Sequence, residues 1–205
     1  TTRARLGLRR TICPKSLMAR VVVGQRSLVD RVWRTLVKHG TRARLSRDQI
    51  GYRLVRADAN LPPPLDLIPA TFEHIDQVVQ ASAAMAREEA RDDPYARNPK
   101  LFRERIAERL RRGRDFIYAP NHRLQFKSNV ASLSPLGGQI EGIYTVPAFR
   151  HQGLGARGTS AVTEWVLTRA ERAFLLVNED NAEARRLYER LGYRPVFESR
   201  TVFAV

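Results

Sequence analysis

Residues 139–156 read Gln139-Ile-Glu-Gly-Ile-Tyr-Thr-Val-Pro-Ala-Phe-Arg-His-Gln-Gly-Leu-Gly-Ala156, and this stretch decides the fold. A strand runs to Pro147, which breaks it, and two glycines one residue apart, Gly153 and Gly155, then open a helix. Glycine lets a ligand approach the backbone closely, and a helix start offers unpaired N–H groups at its positive dipole end. Together these features make a phosphate cradle. Standing alone, the segment reads better as a plain strand-to-helix turn. Gly153-x-Gly155-x-x-Gly158 also matches the dinucleotide fingerprint, with Glu179 and Asp180 after the next strand. In that fold the strand runs directly into the first glycine, whereas here the six residues Pro147–Gln152 intervene. Only 25 residues follow Asp180, too few for the further strand–helix–strand units, so the dinucleotide reading is set aside.

Outward from this segment the pattern alternates. Upstream lie a short strand at Leu65–Ala70, helices at Phe72–Ala90 and Pro99–Arg112, and strands at Asp115–Ala119 and Leu124–Ala131. Downstream come a helix from Leu154 to Ala170, a strand at Ala173–Asn178, a helix at Ala182–Leu191 and an extended tail. A meander flanked by helices implies a mixed α/β sheet. Before it, Ala19–Gly24, Ser27–Lys38 and Ile50–Val55 read as strand, helix and strand, with Ser27 as N-cap and Gly40 as the stop. The expected organisation is a basic arm at 1–18, a strand–helix–strand extension at 19–56, a proline-rich linker at 57–64 and the main domain at 65–205.

A second patterned stretch, Asn181-Ala-Glu-Ala-Arg-Arg-Leu-Tyr-Glu-Arg-Leu-Gly-Tyr193, follows at a suitable distance. Thr145–Ala156 resembles the acyl-CoA pyrophosphate motif of the GNAT superfamily of N-acetyltransferases, Arg/Gln-x-x-Gly-x-Gly/Ala. Residues 181–193 resemble the family's Asn-x-x-Ala-x-x-Leu-Tyr-x-x-x-Gly-Phe/Tyr. The resemblance covers about 65–205, and residues 20–60 are similar to the N-terminal extension of a subgroup whose acceptors are unassigned. It implies the GNAT acyltransferase fold and direct transfer of acetyl from acetyl-CoA, a co-substrate, to a primary amine in a ternary complex. The N–H groups of Gln152, Gly153, Leu154, Gly155 and Ala156 would hold the CoA pyrophosphate, with Arg150 and His151 beside it. Ile143, Thr145 and Val146 would pair with the acetyl and pantetheine amides across a gap between two splayed strands. Asn181 would bond the pantetheine arm, and its residue type also suits a helix N-cap.

Amine acetylation needs a neutral nucleophile and a proton for the departing thiolate. Tyr188 occupies the place of the family's tyrosine near the CoA sulfur and is expected to be the general acid. Gln139, Glu141, Ile143 and Thr145 alternate onto one strand face, and Glu141 is the expected base. Gln139 stands where some relatives hold that carboxylate and cannot ionise. The histidines His74, His122 and His151 lack metal-ligand spacing, and the single Cys13 excludes an internal disulfide and a cysteine-cluster metal site, so no metal is expected.

For the acceptor, the turn between the first two helices of the main domain carries Glu88, Glu89, Asp92 and Asp93 beside Tyr95, expected to draw in a cationic amine. The chain as a whole is basic: 36 Lys and Arg against 21 Asp and Glu give +15. Residues 1–60 hold 15 basic and 3 acidic side chains, which suggests an anionic partner or a solvated basic surface. The alternatives are a nucleic-acid-associated protein, including one that acetylates aminoacyl-tRNA, and a non-catalytic CoA-binding regulator. No apolar run approaches the roughly 18 residues of a membrane span. A cytoplasmic monomer or homodimer is expected.

Overall fold

The computed structural model describes residues 20–90 and 93–205, so the basic arm and Asp92 lie outside the described residues. The chain forms two compact units whose boundaries fall at Asp48 and Glu198, within strands β2 (Ala43–Val55) and β8 (Arg194–Ala204). In the smaller unit, β1 (Val21–Gln25) pairs antiparallel with the end of β8, Val21 opposite Phe203 and Gln25 opposite Ser199. Helix α1 (Arg26–Lys38) buries Val29 and Leu36; its N-cap is Gln25 rather than the expected Ser27, with no side-chain cap bond. Gly40, at φ +89, takes the chain away after the C-cap His39. Arg200 bonds Asp48 Oδ1 and Asp30 Oδ1, each at 2.6 Å, and its hydrogen bond holds the Asp48 carboxyl below the usual range.

In the larger unit the strand order is β8-β2-β7-β6-β5-β4-β3. These are β3 (Ile68–Pro69), β4 (Asp115–Tyr118), β5 (Phe126–Ser134), β6 (Gly137–Thr145) and β7 (Arg172–Asn178). β6 and β7 run parallel, while β2–β7, β6–β5, β5–β4 and β4–β3 are antiparallel. The meander and mixed α/β class are as expected, although the strand foreseen at Leu65–Ala70 shrinks to two residues. The β5–β6 turn falls at Pro135–Leu136, leaving both following glycines in β6. Helices α5 (Leu154–Leu167) and α6 (Ala182–Arg190) cover one face over Tyr52, Ile140, Leu175, Tyr188 and Tyr193. Helices α2 (Ile75–Ala90) and α4 (Pro99–Arg111), joined through α3 (Pro94–Arg97), cover the other over Ile117 and Tyr144. Gly158 has a packing role: α5 passes so close to β5 that a Cβ there would lie 2.5 Å from the Phe126 ring.

The proline-rich stretch 57–64, read from sequence as a boundary, is built into the larger unit. Pro62 O accepts from Ser160 Oγ at 2.7 Å, Pro63 O from Arg157 Nε at 3.2 Å, and the Asn60 N–H donates to Leu191 O. The expected extension strand also joins this unit: Gln49–Val55 pairs with β7, and Tyr52 is fully buried.

One residue sets the shape of the central strands. Asn129 faces Glu141 and Lys127 faces Tyr144, so Gly142 and Ile143 together oppose the single Ser128, which defines a bulge. Gly142 adopts φ +62, and a Cβ there would lie 2.6 Å from Asn129 Oδ1 and 3.3 Å from Lys127 Nζ. The extra residue reverses the alternation. Ile140 and Ile143 both pack in the core on the α5 side, whereas Tyr144 packs under α2 and α4. The expectation of one face for Gln139, Glu141, Ile143 and Thr145 therefore holds only for the first two. Lys127, 2% exposed, donates to Gly142 O at 3.0 Å and braces the bulge. Burial, with Arg109 nearby, pushes its ammonium down to about 7 against the pull of Asp115 and Glu89.

Two outcomes follow from this packing. A Cβ on Gly192, at φ +96, would strike the Asp58 carbonyl, whereas Gly113, at φ +64, faces open space. Thermal melts should show Gly192→Ala losing about 3 kcal/mol or more and Gly113→Ala about 1 kcal/mol. For Lys127, the unfolded chain keeps its proton to about pH 10, and the folded chain sheds it near 7. Between those values the unfolded state binds more protons, so stability rises with pH. Denaturant titrations from pH 6 to 10 should show that slope in the native protein and a markedly flatter one in Lys127→Met.

Candidate active site

The parallel ladder between β6 and β7 covers only three pairs, Gly138–Ile140 against Ala173–Leu175. The strands part where the Gly142 bulge begins, while β7 stays paired with β2 as far as Asn178. The β7-facing edge of β6 beyond Ile140 is thereby opened. Such an edge needs a partner for its buried backbone groups, and an extended ligand carrying amides supplies one. Ile143 lies in the bulge, beyond the last β6–β7 pair. Thr145 O accepts from Arg150 Nε at 3.1 Å and the Val146 N–H donates to Gln125 O at 2.9 Å, so each of those residues has one group already engaged.

The gap leads to the start of α5. A short turn at Pro147–Phe149 is followed by His151 at φ +61 and the N-cap Gly153 at φ +76, two residues with left-handed backbone at the helix entry. The first bond within the helix is Arg157 N–H to Gly153 O, and no side chain caps the end. Among the described residues, the N–H groups of Gln152 to Ala156 have no protein partner. A Cβ on Gly155 would make only ordinary contacts, 3.5 Å to Thr145 Oγ1 and 3.8 Å to Leu187, so packing does not demand glycine there. Orphan donors, a dipole end and bare glycines fit a pyrophosphate.

Tyr188 lies on α6, 7% exposed, with Tyr52 and Tyr193 rings 6.3 and 6.0 Å away. Burial raises its phenol well above the ordinary value, so it keeps its proton at neutral pH, and its hydroxyl has no hydrogen-bond partner among the described residues. Asn181 caps α6 by accepting from the Ala184 N–H at 3.1 Å, which leaves its amide NH2 for another partner. Glu141 accepts from Gln139 Nε2 at 2.7 Å on the α2–α4 face. Shielding by the surrounding protein raises its carboxyl, and Arg109 partly offsets the shift.

The acidic turn is mostly engaged. Glu88 accepts from Tyr144 Oη and Arg150 Nη2, each at 2.6 Å. Burial alone would raise it, but those bonds hold it below the usual range, while burial and Glu88 push the Tyr144 phenol up to about 12. Asp93 caps α3 through the Ala96 N–H and pairs with Arg87, and Tyr95 meets the Phe102 ring edge-on at 6.0 Å. Glu89 O accepts from Asn178 Nδ2 at the end of β7. Arg150 thus lies against Glu88 and the Tyr144 ring. Sequence reading missed Gly142, Lys127 and Tyr144; the available signals were a glycine inside a strand and a lysine inside an apolar one. His74 Nδ1 bonds the Thr71 N–H and hydroxyl in a helix-start capping box. Among the described residues no three metal-ligating side chains come together, and no helix is long and apolar enough to cross a membrane.

Comparison with known proteins places this arrangement. A family model described as FR47-like protein matches residues 130–202, from β5 to β8. No curated protein sequence matches the chain. Among solved structures, a protein assigned to the GNAT acetyltransferase family from Novosphingobium aromaticivorans is 21% identical with a TM-score of 0.61. That match covers 80% of this chain and 67% of the other. A GNAT-family acetyltransferase from Colwellia psychrerythraea is 14% identical with a TM-score of 0.61, covering 90% of this chain and 63% of the other. A GCN5-related N-acetyltransferase from Ralstonia eutropha is 23% identical with a TM-score of 0.52, covering 64% of this chain and 93% of the other. The chain thus spans about two thirds of the length of the first two relatives. The splayed β6–β7 pair, the bare start of α5 and these likenesses agree: the chain has the GNAT acetyltransferase fold, with the FR47-like pattern in its C-terminal part.

Proposed function

We propose that the protein is an N-acetyltransferase that moves an acetyl group from acetyl-CoA directly to a primary amine. The observation that carries this reading is the continuity of the open edge of β6 with the unpartnered N–H groups of Gln152–Ala156. An acyl-CoA has the matching sequence of groups, two amides and then a pyrophosphate. When bound, it supplies an electrophilic thioester carbonyl. Gln152, Gly153, Leu154, Gly155 and Ala156 hold the pyrophosphate through backbone N–H groups. Ile143, with the remaining backbone groups of Thr145 and Val146, aligns the acyl and pantetheine amides, and the Asn181 NH2 donates to that arm. Arg150 and His151 flank the phosphates. Glu141, oriented by Gln139, takes the proton of the attacking amine. Tyr188, kept protonated by burial, returns a proton to the thiolate as the carbon–sulfur bond breaks and the carbon–nitrogen bond forms.

Calorimetric titration with acetyl-CoA should give saturable binding. Gly155→Asp should weaken it about 100-fold, a loss of about 2.7 kcal/mol. An aspartate in the first turn of α5 suits the helix dipole, so the fold should survive while the phosphates are repelled. For the chemistry, Tyr188→Phe should lower kcat about 100-fold or more, with acetyl-CoA affinity unchanged. The rate should rise with pH through a carboxylate limb lying above the ordinary range for Glu. Glu141→Gln should abolish that limb, which a pH–rate profile would read directly.

A further inference from the structure

The face of the sheet that carries Glu141 also holds a cavity of about 340 Å³. Two aromatic rings seated on glycines form part of its lining. Phe174 of β7 lies over Gly137, where a Cβ would come within 2.5 Å of the ring, and the Phe197 ring of β8 occupies the space a Cβ on Gly51 of β2 would need. Both glycines serve to bring a ring down onto the sheet, and any side chain at either position would displace it. Leu136, 66% exposed, and Leu176 add aliphatic surface. Gln139 belongs to the same lining, and its amide donates to Glu141 Oε1 at 2.7 Å. Ser132, Ser134 and Arg172 add polar groups to the lining, and Gln139 links the cavity through its amide to Glu141, which lies beyond the lining where β6 leaves β7.

Resting on the acetyltransferase reading, we propose that this cavity is the acceptor site and that the acceptor is a hydrophobic primary amine. Its aryl or alkyl body lies on Phe174, Phe197 and Leu136, and its nitrogen is directed toward Glu141. The charge complementarity is local: the Glu141 carboxylate attracts the ammonium at one end and receives its proton, and the aromatic rings with Arg172 beside them disfavour a second cationic group. The volume suits a single ring or a short chain and is at the small end for ligand sites. In the acidic turn Glu88 is engaged by Arg150 and Tyr144, and Asp93 by Arg87 and the α3 cap, so acceptor selection is assigned to the cavity instead.

The test is a panel of amines assayed by release of the CoA thiol, with acetyl-CoA affinity measured in parallel. 2-Phenylethylamine and hexylamine should be acetylated with kcat/KM about tenfold or more above putrescine and a lysine peptide. Phe197→Ala should raise KM for phenylethylamine about tenfold and collapse that preference, while acetyl-CoA affinity is retained as proof of folding. Leu136→Ser, at an exposed position with little bearing on folding, should change the preference in the same direction. Preference for putrescine or the peptide, or a preference unmoved by both variants, overturns the inference while amine acetylation stands. Acetyl-CoA bound with no amine in the panel acetylated overturns the amine-acceptor reading and this inference with it.

Discussion

The left-handed backbone of Gly142 is the constraint on which the rest of the site depends. The Asn129 side chain fills the space a Cβ would take, and Lys127 donates to the Gly142 carbonyl. With that residue out of register, β6 can no longer remain parallel-paired to β7, and the ladder stops at Ile140. An unpaired strand edge in the interior of a sheet is costly, because its amide groups have lost water and gained no partner. The bulge concentrates this cost at one place, the edge on which the proposed acyl-CoA would pair. It also reverses which way each later side chain points: Glu141 stays on the α2–α4 face, and Ile143 is carried to the α5 side.

The glycines at the start of α5 divide their labour by position. Gly153 is needed for its left-handed φ, Gly158 for the close passage of α5 over Phe126, and Gly155 for neither. A residue with no packing reason to be glycine, at the dipole end of a helix, is best explained by something outside the protein that must come close. Gly51 and Gly137 follow the opposite logic, since each is filled from within by an aromatic ring.

Much of this was legible in the sequence, and the reasons are local. Pro147 and the glycine pair mark a strand end and a helix start wherever they occur, and Asn181 announces the N-cap of α6. The helices came out nearly as read because their apolar spacing is regular. The one-face alternation over Gln139–Thr145 failed because a bulge adds a residue without altering the pattern of residue types. Only Gly142 itself, a glycine inside a strand, hinted at it. The linker 57–64 looked like a boundary because prolines interrupt regular structure; in three dimensions their carbonyls serve Ser160 and Arg157. The acidic turn looked like a free cluster because sequence does not show that Arg150, a contact across the fold, would claim Glu88. The aromatic cavity had no linear signature at all, since Gly51, Gly137, Phe174 and Phe197 are brought together only by strand order.

The Arg200 network of the smaller unit carries an electrostatic consequence. Residues 20–48 and 199–205 contain nine basic side chains and two acidic ones, and both acids, Asp30 and Asp48, are bound to Arg200. Pairing within the unit does not cancel this excess, and the net charge of these residues stays strongly positive. That unit holds an atmosphere of condensed counter-anions in dilute salt. A polyanion settling there would return those ions to bulk water and gain the entropy of their release.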